Sequence, residues 1–286
     1  MMGPIDRFRG RFMESLRLRF PSRFPNSVRI EDDLDDPILL AFWTRRFQLA
    51  RKTNNYNKIF CKQQPLVSVC ISTADRPEIL AERALSSIRE QTYDHLEVVI
   101  VGDQCTEATA DIIRKFNDKR FRYINLPIRG PYPRPGLDRW RVAGTNPVNL
   151  ALKIASGDLI THLDEDDTYS ADRIEVLVDE IQREEADLVF HPFYWEQDDR
   201  SLQKLGNGVF ELGQTGTGLI LYHQWLGRVP WDLYAYRRQE PGDWNRLRKI
   251  KAMGAKIHYV DKILSWHWKY PPREPFVAKP NEVFLD

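Results

Sequence analysis

The sequence predicts an α/β fold: one large domain built on a doubly wound, mainly parallel sheet with helices on both faces, preceded by a helical N-terminal extension. From residue 65 onward, short apolar, β-branched runs alternate with segments of helical periodicity, which is typical of such a sheet. Hydrophobic residues make up 42% and charged residues 29% of the 286 residues, as in ordinary globular proteins. Both observations favour a packed α/β domain over a disordered or fibrous chain.

Each predicted element follows from a local pattern. The predicted strands are the apolar runs at residues 66–72, 96–102, 121–126 and 158–163, and the predicted helices are 77–91, 106–117 and 146–155. Residues 127–145 are rich in Pro, Gly and Arg and form a predicted loop that is long enough to suggest a function. Ligands bind at the carboxyl ends of the strands in parallel sheets, so the polar residues that follow these strands are candidates for a site.

Composition narrows the classes of protein to consider. The net charge of +1 argues against a nucleic-acid partner, and we see no window of 18 apolar residues and no secretory signal at the start. The three cysteines (Cys61, Cys70 and Cys105) are odd in number and do not cluster, which argues against a disulfide scaffold or a zinc site. We therefore expect a cytoplasmic protein without a membrane-spanning helix.

Positive charge is concentrated at the N-terminus. Residues 1–30 hold seven Arg against Asp6 and Glu14, a local charge of +5 that leaves about −4 for the rest of the chain. Four apolar residues at a spacing of four indicate one face of a helix: Phe8, Phe12, Leu16 and Phe20. Residues 1–25 could make a peripheral contact with the inner face of an anionic membrane, or they could dock on the protein's own body or remain a partly ordered arm. Residues 31–64 are predicted to add another helix and a linker.

An acidic run follows the fourth predicted strand. Asp164, Glu165, Asp166 and Asp167 are consecutive, and their like charges repel unless a cation neutralises them. Hard oxygen ligands on a short loop suit Mg²⁺ or Mn²⁺. The alternative is a solvated acidic turn in which Asp or Thr caps a helix that begins near Ser170. Polar residues also follow the first two strands, at 72–76 and 102–106, which favours a site.

Three segments together carry a family resemblance. VSVCISTADRPEIL, SSIREQTYDHLEVVIVGD and NLALKIASGDLITHLDEDD resemble, in order and spacing, the nucleotide-sugar domain of family 2 glycosyltransferases, which have a GT-A fold. The resemblance spans about residues 65–195, so residues 1–64 are predicted to be an extension and 196–286 the acceptor-binding half and C-terminal tail. Four positions depart from the usual pattern: Ser72, Ala74, Asp75 and Gly102.

The resemblance implies an inverting transferase of the hexosyltransferase type that uses a nucleoside-diphosphate sugar, with a UDP-sugar favoured, and a glycan or lipid-linked glycan acceptor. It implies a Mn²⁺ or Mg²⁺ cofactor held by the DxD pair, with Asp166 as the metal ligand, Asp164 nearer the ribose and Asp167 as a weaker candidate.

Several other residues match positions that contact the nucleotide in this family. Thr73 and Asp103 match positions that contact the base and ribose, and Arg76 matches a position near the nucleotide, although it could be a plain surface residue. One of four loop arginines could hold the diphosphate, or all could be solvated: Arg129, Arg134, Arg139 and Arg141.

The second half must supply a base for the acceptor hydroxyl. GDWNRLRKIKAMGAKIHYV (242–260) resembles the family's Asp-Trp helix, so Asp243 aligns with the catalytic base of inverting members. Asp243 could instead cap a helix over 244–253, in which case Glu240 is the reserve candidate. His267 lies where such enzymes often place a His on the metal or diphosphate, or it could be a packed core residue between two Trp. One or two of the tryptophans in this half could stack on a sugar ring.

Two other classes of function remain open at this point. The spacing of Asp164, Asp166 and Thr168 also fits the first motif of haloacid-dehalogenase-type phosphatases, in which the first Asp is a nucleophile. The departures at Ala74 and Gly102 are compatible with a degenerate nucleotide-sugar-binding protein that has lost catalysis. A phosphatase would release phosphate without a nucleotide sugar, whereas a degenerate protein would bind nucleotide without transfer.

Overall fold

The structure is a computed structural model that describes residues 37–271, so the amphipathic pattern predicted at residues 1–25 lies outside the described residues. The first described helix, α1, spans Pro37–Ala50 and accounts for the helix predicted ahead of the main domain. A short helix α2, Asn54–Asn57, and a 3₁₀ turn then lead into the first strand.

A seven-stranded sheet forms the centre of the fold. Its strands are β1 (Val67–Thr73), β2 (Leu96–Gly102), β3 (Phe121–Asn125), β4 (Leu159–His162), β6 (Leu188–Phe190), β9 (Ile220–His223) and β10 (Ile257–Tyr259). Their order across the sheet is β10-β6-β9-β4-β1-β2-β3, and only β9 runs antiparallel to its neighbours. The predicted mainly parallel sheet is therefore confirmed.

Helices cover both faces of this sheet. The longer ones after α1 are α3 (Pro77–Leu80, a π turn Ala81–Leu85 and Ser86–Arg89), α4 (Glu107–Phe116), α5 (Leu137–Val142), α6 (Thr145–Ile154), α7 (Arg173–Arg183) and α8 (Gly242–Ala252). Apolar side chains of α3, α4 and α7 pack on one face of the sheet, and those of α1, α6 and α8 pack on the other. Helix α5 interrupts the segment 127–145, which was predicted to be a loop throughout.

A second, four-stranded sheet carries the C-terminal segment to the acidic run. Its strands are β5 (Thr168–Tyr169), β11 (Ser265–His267), β7 (Phe193–Glu196) and β8 (Leu202–Leu205), in that order. Strand β11 pairs antiparallel with β5, which follows the acidic run directly, and parallel with β7. The pairing of β5 with β11 therefore places His267 beside residues that are about a hundred positions earlier in the sequence.

The described cysteines form no disulfide: Cys61 is exposed, whereas Cys70 and Cys105 are buried as free thiols. Between residues 37 and 271, no helix is long and apolar enough to cross a membrane.

Candidate active site

The carboxyl ends of β1, β2 and β4 meet at one edge of the main sheet. Thr73 pairs with Gly102 in the register of β1 and β2, and the backbone N–H of Asp103 donates to the Thr73 carbonyl oxygen at 2.9 Å. Strand β4 lies on the other side of β1 and ends just before the acidic run. The structure thus brings together the three strand ends that the sequence marked as candidates.

Glu165 joins the acidic run to the end of β1. The residue is only 4% exposed, and its Oε2 accepts hydrogen bonds from the Thr73 hydroxyl and from the Ala74 backbone N–H, the latter at 3.2 Å. Its Oε1 accepts from Arg76 Nε at 2.7 Å. No local pattern distinguishes Glu165 from the neighbouring carboxylates, because its role depends on the contact between two strand ends. Glu165 therefore fixes the geometry of this edge.

Replacing Glu165 with Ala should lower the free energy of unfolding by about 2–3 kcal/mol, because the buried Thr73 hydroxyl and Arg76 would lose an acceptor. Urea unfolding would measure the change. The matched control is Glu175→Ala, since exposed Glu175 accepts from the Thr92 hydroxyl. That change should stay within about 0.5 kcal/mol, and equal losses in the two variants would contradict the role of Glu165.

Arg76 contacts the predicted metal ligand. Its Nη1 lies 2.9 Å from Asp166 Oδ2, and its Nη2 lies 2.7 Å from Glu165 Oε1. Arg76 is half-exposed, yet it is not the plain surface residue of the alternative interpretation, because it is tied to two carboxylates of the site. Arg83, which is buried, donates from Nη1 to the Asp166 carbonyl oxygen at 2.9 Å and holds the loop backbone.

Asp164 and Asp167 close a tight turn, with the Asp167 N–H donating to the Asp164 carbonyl oxygen at 3.1 Å. The Asp164 carboxylate remains open to solvent and receives no hydrogen bond from the described residues. Neighbouring protein atoms that displace part of its water, and then the charges of Asp167 and Asp166, raise its pKa. Burial also raises the pKa of Asp167, and the negative charge of Asp166 adds to this shift.

The predicted alternative of a helix-capping acidic turn is not what the structure contains. Helix α7 begins at Arg173 rather than near Ser170, and the residue at its N-cap position is Asp172, five residues beyond Asp167. The acidic run instead faces the strand ends and the C-terminal segment, because two hydrogen bonds tie it to Trp268. Asp167 Oδ1 accepts from the Trp268 N–H at 3.2 Å, and the Thr168 hydroxyl accepts from its indole N–H at 2.9 Å.

His267 lies beside this run. Its Nε2 is 3.5 Å from Asp167 Oδ2, and its ring centroid is 4.5 Å from that of Phe193. Burial lowers the pKa of His267, while the charges of Asp164, Asp166 and Asp243 oppose that shift. His267 is therefore a half-buried residue beside the acidic run rather than a core residue, and its predicted contact with the metal or diphosphate stays a prediction.

Asp243 lies in the first turn of α8, which begins at Gly242 rather than at residue 244, and Pro241 occupies the N-cap position. Its Oδ1 accepts from the Trp244 N–H at 2.6 Å, and the Thr217 N–H also hydrogen-bonds the carboxylate. Burial raises the pKa of Asp243, and the charge of His267 opposes the shift. Asp243 faces the segment of residues 213–218, which also approaches His267.

A glycine-rich segment approaches Asp243 and His267 closely. A Cβ at Gly216 would lie 3.1 Å from Asp243 Oδ2, and one at Gly218 would lie 3.7 Å from His267 Nε2. This segment was not predicted to be part of the site, although three glycines within 213–218 just before a strand are a sequence signal of close backbone approach. The absence of side chains at Gly216 and Gly218 therefore allows the backbone of this segment to come close to the predicted base and to His267.

Arg173 holds the backbone of the glycine-rich segment in place. It is fully buried and donates to the Gly218 carbonyl oxygen at 3.1 Å, to the Thr161 hydroxyl at 3.0 Å and to His191 Nε2 at 3.0 Å. Its guanidinium also lies 3.7 Å from the centroid of the Tyr169 ring. No local sequence pattern distinguishes Arg173 from an exposed Arg at a helix start, so sequence reasoning missed it.

The remaining predicted residues are distributed around this edge. Asp103 Oδ1 accepts from the Gly130 N–H at 3.2 Å, and its carbonyl oxygen accepts from Arg129 Nε at 3.0 Å, so the segment after β3 folds over the end of β2. Other arginines of this segment have different surroundings: Arg139 lies over the Tyr132 ring, Arg141 pairs with Asp138, and Arg134 is exposed. Glu240 is held by Asn245 Nδ2 at 2.7 Å and Arg248 Nε at 2.8 Å.

The donor set suits a hard divalent cation. No three His, Cys, Asp or Glu side chains within residues 37–271 are arranged to hold a metal by themselves. Mg²⁺ and Mn²⁺, however, commonly use one or two carboxylates together with water and substrate phosphates. Asp164 and Asp166 supply such oxygens, and Asp164 has no ion-pair partner among the described residues, whereas Asp166 pairs with Arg76. The residues present therefore fit the predicted cation.

Comparisons with known proteins agree with this geometry. Residues 68–132 and 139–241, more than half of the chain, match the family described as Glycosyl transferase family 2. The putative colanic acid biosynthesis glycosyl transferase WcaA of Escherichia coli K12 is 31% identical over 140 residues, which cover 48% of this chain and 44% of WcaA. The E. coli protein WfaP, named UDP-Glc:alpha-D-GlcNAc-diphosphoundecaprenol beta-1,3-glucosyltransferase, is 30% identical over 133 residues, covering 46% of this chain and 48% of WfaP. The matched region thus spans less than half of these relatives.

Solved structures show the same fold. S. aureus TarS 1-349 in complex with UDP-GlcNAc superposes with a TM-score of 0.57 at 19% identity, covering 72% of this chain and 59% of that one. The mannosyltransferase PcManGT of Pyrobaculum calidifontis, in complex with GDP-Man and Mn²⁺, gives 0.53 at 17% identity, covering 82% and 68%. These neighbours confirm the predicted GT-A fold, and the extent of the family match identifies the sequence. The chain belongs to glycosyl transferase family 2.

Proposed function

We propose that the protein transfers a sugar from a nucleoside-diphosphate sugar to an acceptor hydroxyl with inversion, assisted by Mn²⁺ or Mg²⁺. The observation that carries this proposal is the convergence of the acidic run, His267 and Asp243 on one place: His267 Nε2 lies 3.5 Å from Asp167 Oδ2, and the glycine-rich segment approaches both His267 and Asp243. Family membership supports a transferase and disfavours a haloacid-dehalogenase-type phosphatase.

In this proposal Asp166 is the principal metal ligand, His267 is a second one, and Asp164 lies toward the donor ribose. When bound, the cation would act as a Lewis acid that stabilises the negative charge growing on the diphosphate leaving group. Thr73 and Asp103 would contact the nucleoside at the ends of β1 and β2. Arg76, whose guanidinium already lies at the acidic run, would face the donor phosphates.

Asp243 is the proposed base. An acceptor hydroxyl must lose its proton as it attacks the anomeric carbon, and a carboxylate within hydrogen-bond reach can accept that proton. Burial raises the pKa of Asp243, which makes its carboxylate a stronger proton acceptor than an ordinary one. A base that activates the acceptor directly produces a single displacement, so the product has the anomeric configuration opposite to that of the donor.

The comparisons bear on the choice of substrates. TarS is described with UDP-GlcNAc, and WfaP is named for a UDP-glucose donor and a diphosphoundecaprenol-linked acceptor. On this basis we favour a UDP-sugar donor and a lipid-linked glycan acceptor. The mannosyltransferase with GDP-Man makes GDP-sugars the first alternative donor to test.

The test is a thermal-shift panel of UDP, GDP and dTDP, each with and without Mn²⁺. A ligand at about 100 times its Kd should add about 2.7 kcal/mol, which corresponds to a rise of several degrees in Tm. We expect one nucleotide to stabilise the protein, and only when Mn²⁺ is present. If no nucleotide does so, the proposed function is wrong.

A degenerate binding protein is the second candidate, favoured by the departures at Ala74 and Gly102. It would show the same metal-dependent shift without transfer or hydrolysis of any nucleotide sugar. Incubation of the stabilising nucleotide's sugar conjugates with lipid-linked acceptors, followed by detection of released nucleoside diphosphate, separates the two functions.

A further inference from the structure

The most exposed large apolar side chains of the described residues lie close together in the sequence. They belong to one segment, residues 127–142, which we call the rim segment: Ile128 is 74% exposed, Leu137 62% and Trp140 67%. Leu137 and Trp140 are three residues apart on α5, so they lie on the same side of that helix. Single exposed apolar residues need no explanation, but a local concentration of them usually marks an interaction surface.

The same segment is basic. It contains Arg129, Arg134, Arg139 and Arg141 against the single acidic residue Asp138, whereas residues 31–286 as a whole carry a charge of about −4. Arg129 and Arg134 are exposed, whereas Arg139 and Arg141 are half-buried against Tyr132 and Asp138. Exposed arginines beside exposed Trp and Leu are typical of surfaces that lie on anionic bilayers, where the apolar groups enter the headgroup boundary and the cations face lipid phosphates. A neutral sugar ring could stack on Trp140, but the positive charge of the arginines would not strengthen its binding.

The rim segment also lies beside the site. Gly130 and Arg129 hydrogen-bond Asp103 at the end of β2, and a Cβ at Gly144, just after α5, would lie 3.1 Å from the Ser72 hydroxyl at the end of β1. At its other end, Val142 is buried against Leu233 and Ala235, so the segment is anchored to the domain. A bilayer that contacted the rim segment would therefore lie next to the edge at which the site is built.

We propose that the rim segment docks on an anionic lipid bilayer, so that the site faces acceptors presented at the membrane surface. This inference rests on the proposed function for its acceptor class, a glycan attached to a lipid, but the docking itself requires neither donor nor metal. It assigns membrane contact to a folded surface of the catalytic domain, independently of the N-terminal residues.

The test is co-sedimentation of the full chain with phosphatidylglycerol-containing vesicles and with pure phosphatidylcholine vesicles. Leu137→Ser/Trp140→Ser should weaken binding to the anionic vesicles at least tenfold, because both apolar side chains would be lost from the contact. Arg134→Gln should weaken it about fivefold on anionic vesicles, as expected for one surface Arg, and hardly at all on neutral ones. Raising the salt from about 0.15 M to about 1 M shortens the screening length from about 8 Å to about 3 Å and should weaken wild-type binding.

The matched control is Leu49→Ser/Leu212→Ser, which removes two apolar side chains of similar exposure, 57% and 53%, from other parts of the surface. The control should bind vesicles as the wild type does. Wild-type binding by Leu137→Ser/Trp140→Ser, or an equal loss in the control, would overturn the proposal. Unchanged vesicle binding with poorer use of a water-soluble acceptor would also overturn it and make Trp140 an acceptor contact.

The nucleotide thermal-shift panel on Leu137→Ser/Trp140→Ser separates this proposal from the proposed function. The metal-dependent shift should equal that of the wild type, because the substituted side chains are largely exposed and neither contacts the acidic run. If neither protein responds to nucleotide while vesicle binding still depends on Trp140, the docking surface is retained and only the proposed function fails.

Discussion

Asp166→Asn should abolish the stabilisation by nucleoside diphosphate that depends on Mn²⁺, a loss of about 2.7 kcal/mol at 100 times the wild-type Kd. The substitution removes the carboxylate oxygen that a hard cation prefers while keeping the size of the side chain. The variant should still fold, because it loses only one half-exposed ion pair, between Asp166 and Arg76. The substitution also removes the repulsion between the Asp166 carboxylate and those of Asp164 and Asp167. We expect the stability of the protein without ligands to change by less than about 1 kcal/mol.

Asp111→Asn is the matched control for this experiment. Asp111 also pairs with an Arg, since its Oδ1 lies 2.7 Å from Arg114 Nη1, but the pair lies on α4 and has no neighbouring acidic cluster. The control should retain the full nucleotide shift with Mn²⁺. A normal metal-dependent shift in Asp166→Asn would remove this residue from the metal site and leave Asp164 and Asp167 as the remaining acidic candidates.

The sequence was sufficient to predict four strands of the main sheet. Strands β1, β2, β3 and β4 lie within one or two residues of their predicted bounds; β1, β2 and β4 are apolar runs buried on both faces, whereas β3 is half-buried. The short buried strand β6, the antiparallel strand β9 and the whole second sheet were not predicted. Their strands have two to four residues, and their pairings join distant parts of the chain, so no local periodicity marks them.

The residues of the candidate site divide in the same way, into those that a local pattern marks and those that only the tertiary structure brings together. The acidic run, Thr73 and Asp103 were found because a parallel sheet gathers strand ends at one edge. The position of His267 depends on the pairing of Ser265 with Tyr169, which no local pattern specifies. Glu165 and Arg173 were missed because their roles are tertiary: one carboxylate accepts hydrogen bonds from the end of β1, and one buried guanidinium holds a carbonyl of the glycine-rich segment.

Asp243→Asn should lower turnover by about 10²–10⁴-fold, the usual contribution of a general base, with donor affinity nearly unchanged. The amide keeps an oxygen that can accept from the Trp244 N–H, so the start of α8 should hold its shape. Burial raises the pKa of Asp243, which means that the folded protein disfavours its charged form. Replacing this carboxylate with a neutral amide should therefore not lower the free energy of unfolding. Steady-state kinetics with the preferred donor would measure turnover, and the thermal-shift panel with Mn²⁺ would measure donor binding independently.

Glu240→Gln is the matched control, because Glu240 lies three residues before Asp243 and is already bonded to Asn245 and Arg248. Near-normal turnover is expected in this variant. The reverse pattern, with Asp243→Asn active and Glu240→Gln impaired, would transfer the role of base to Glu240. Loss of nucleotide binding together with turnover in Asp243→Asn would instead place Asp243 in the donor site. The anomeric configuration of the wild-type product, read by NMR, is decisive for the displacement itself: a base that activates the acceptor for direct attack inverts that centre, so a product with the donor's configuration would exclude the mechanism whichever carboxylate proved essential.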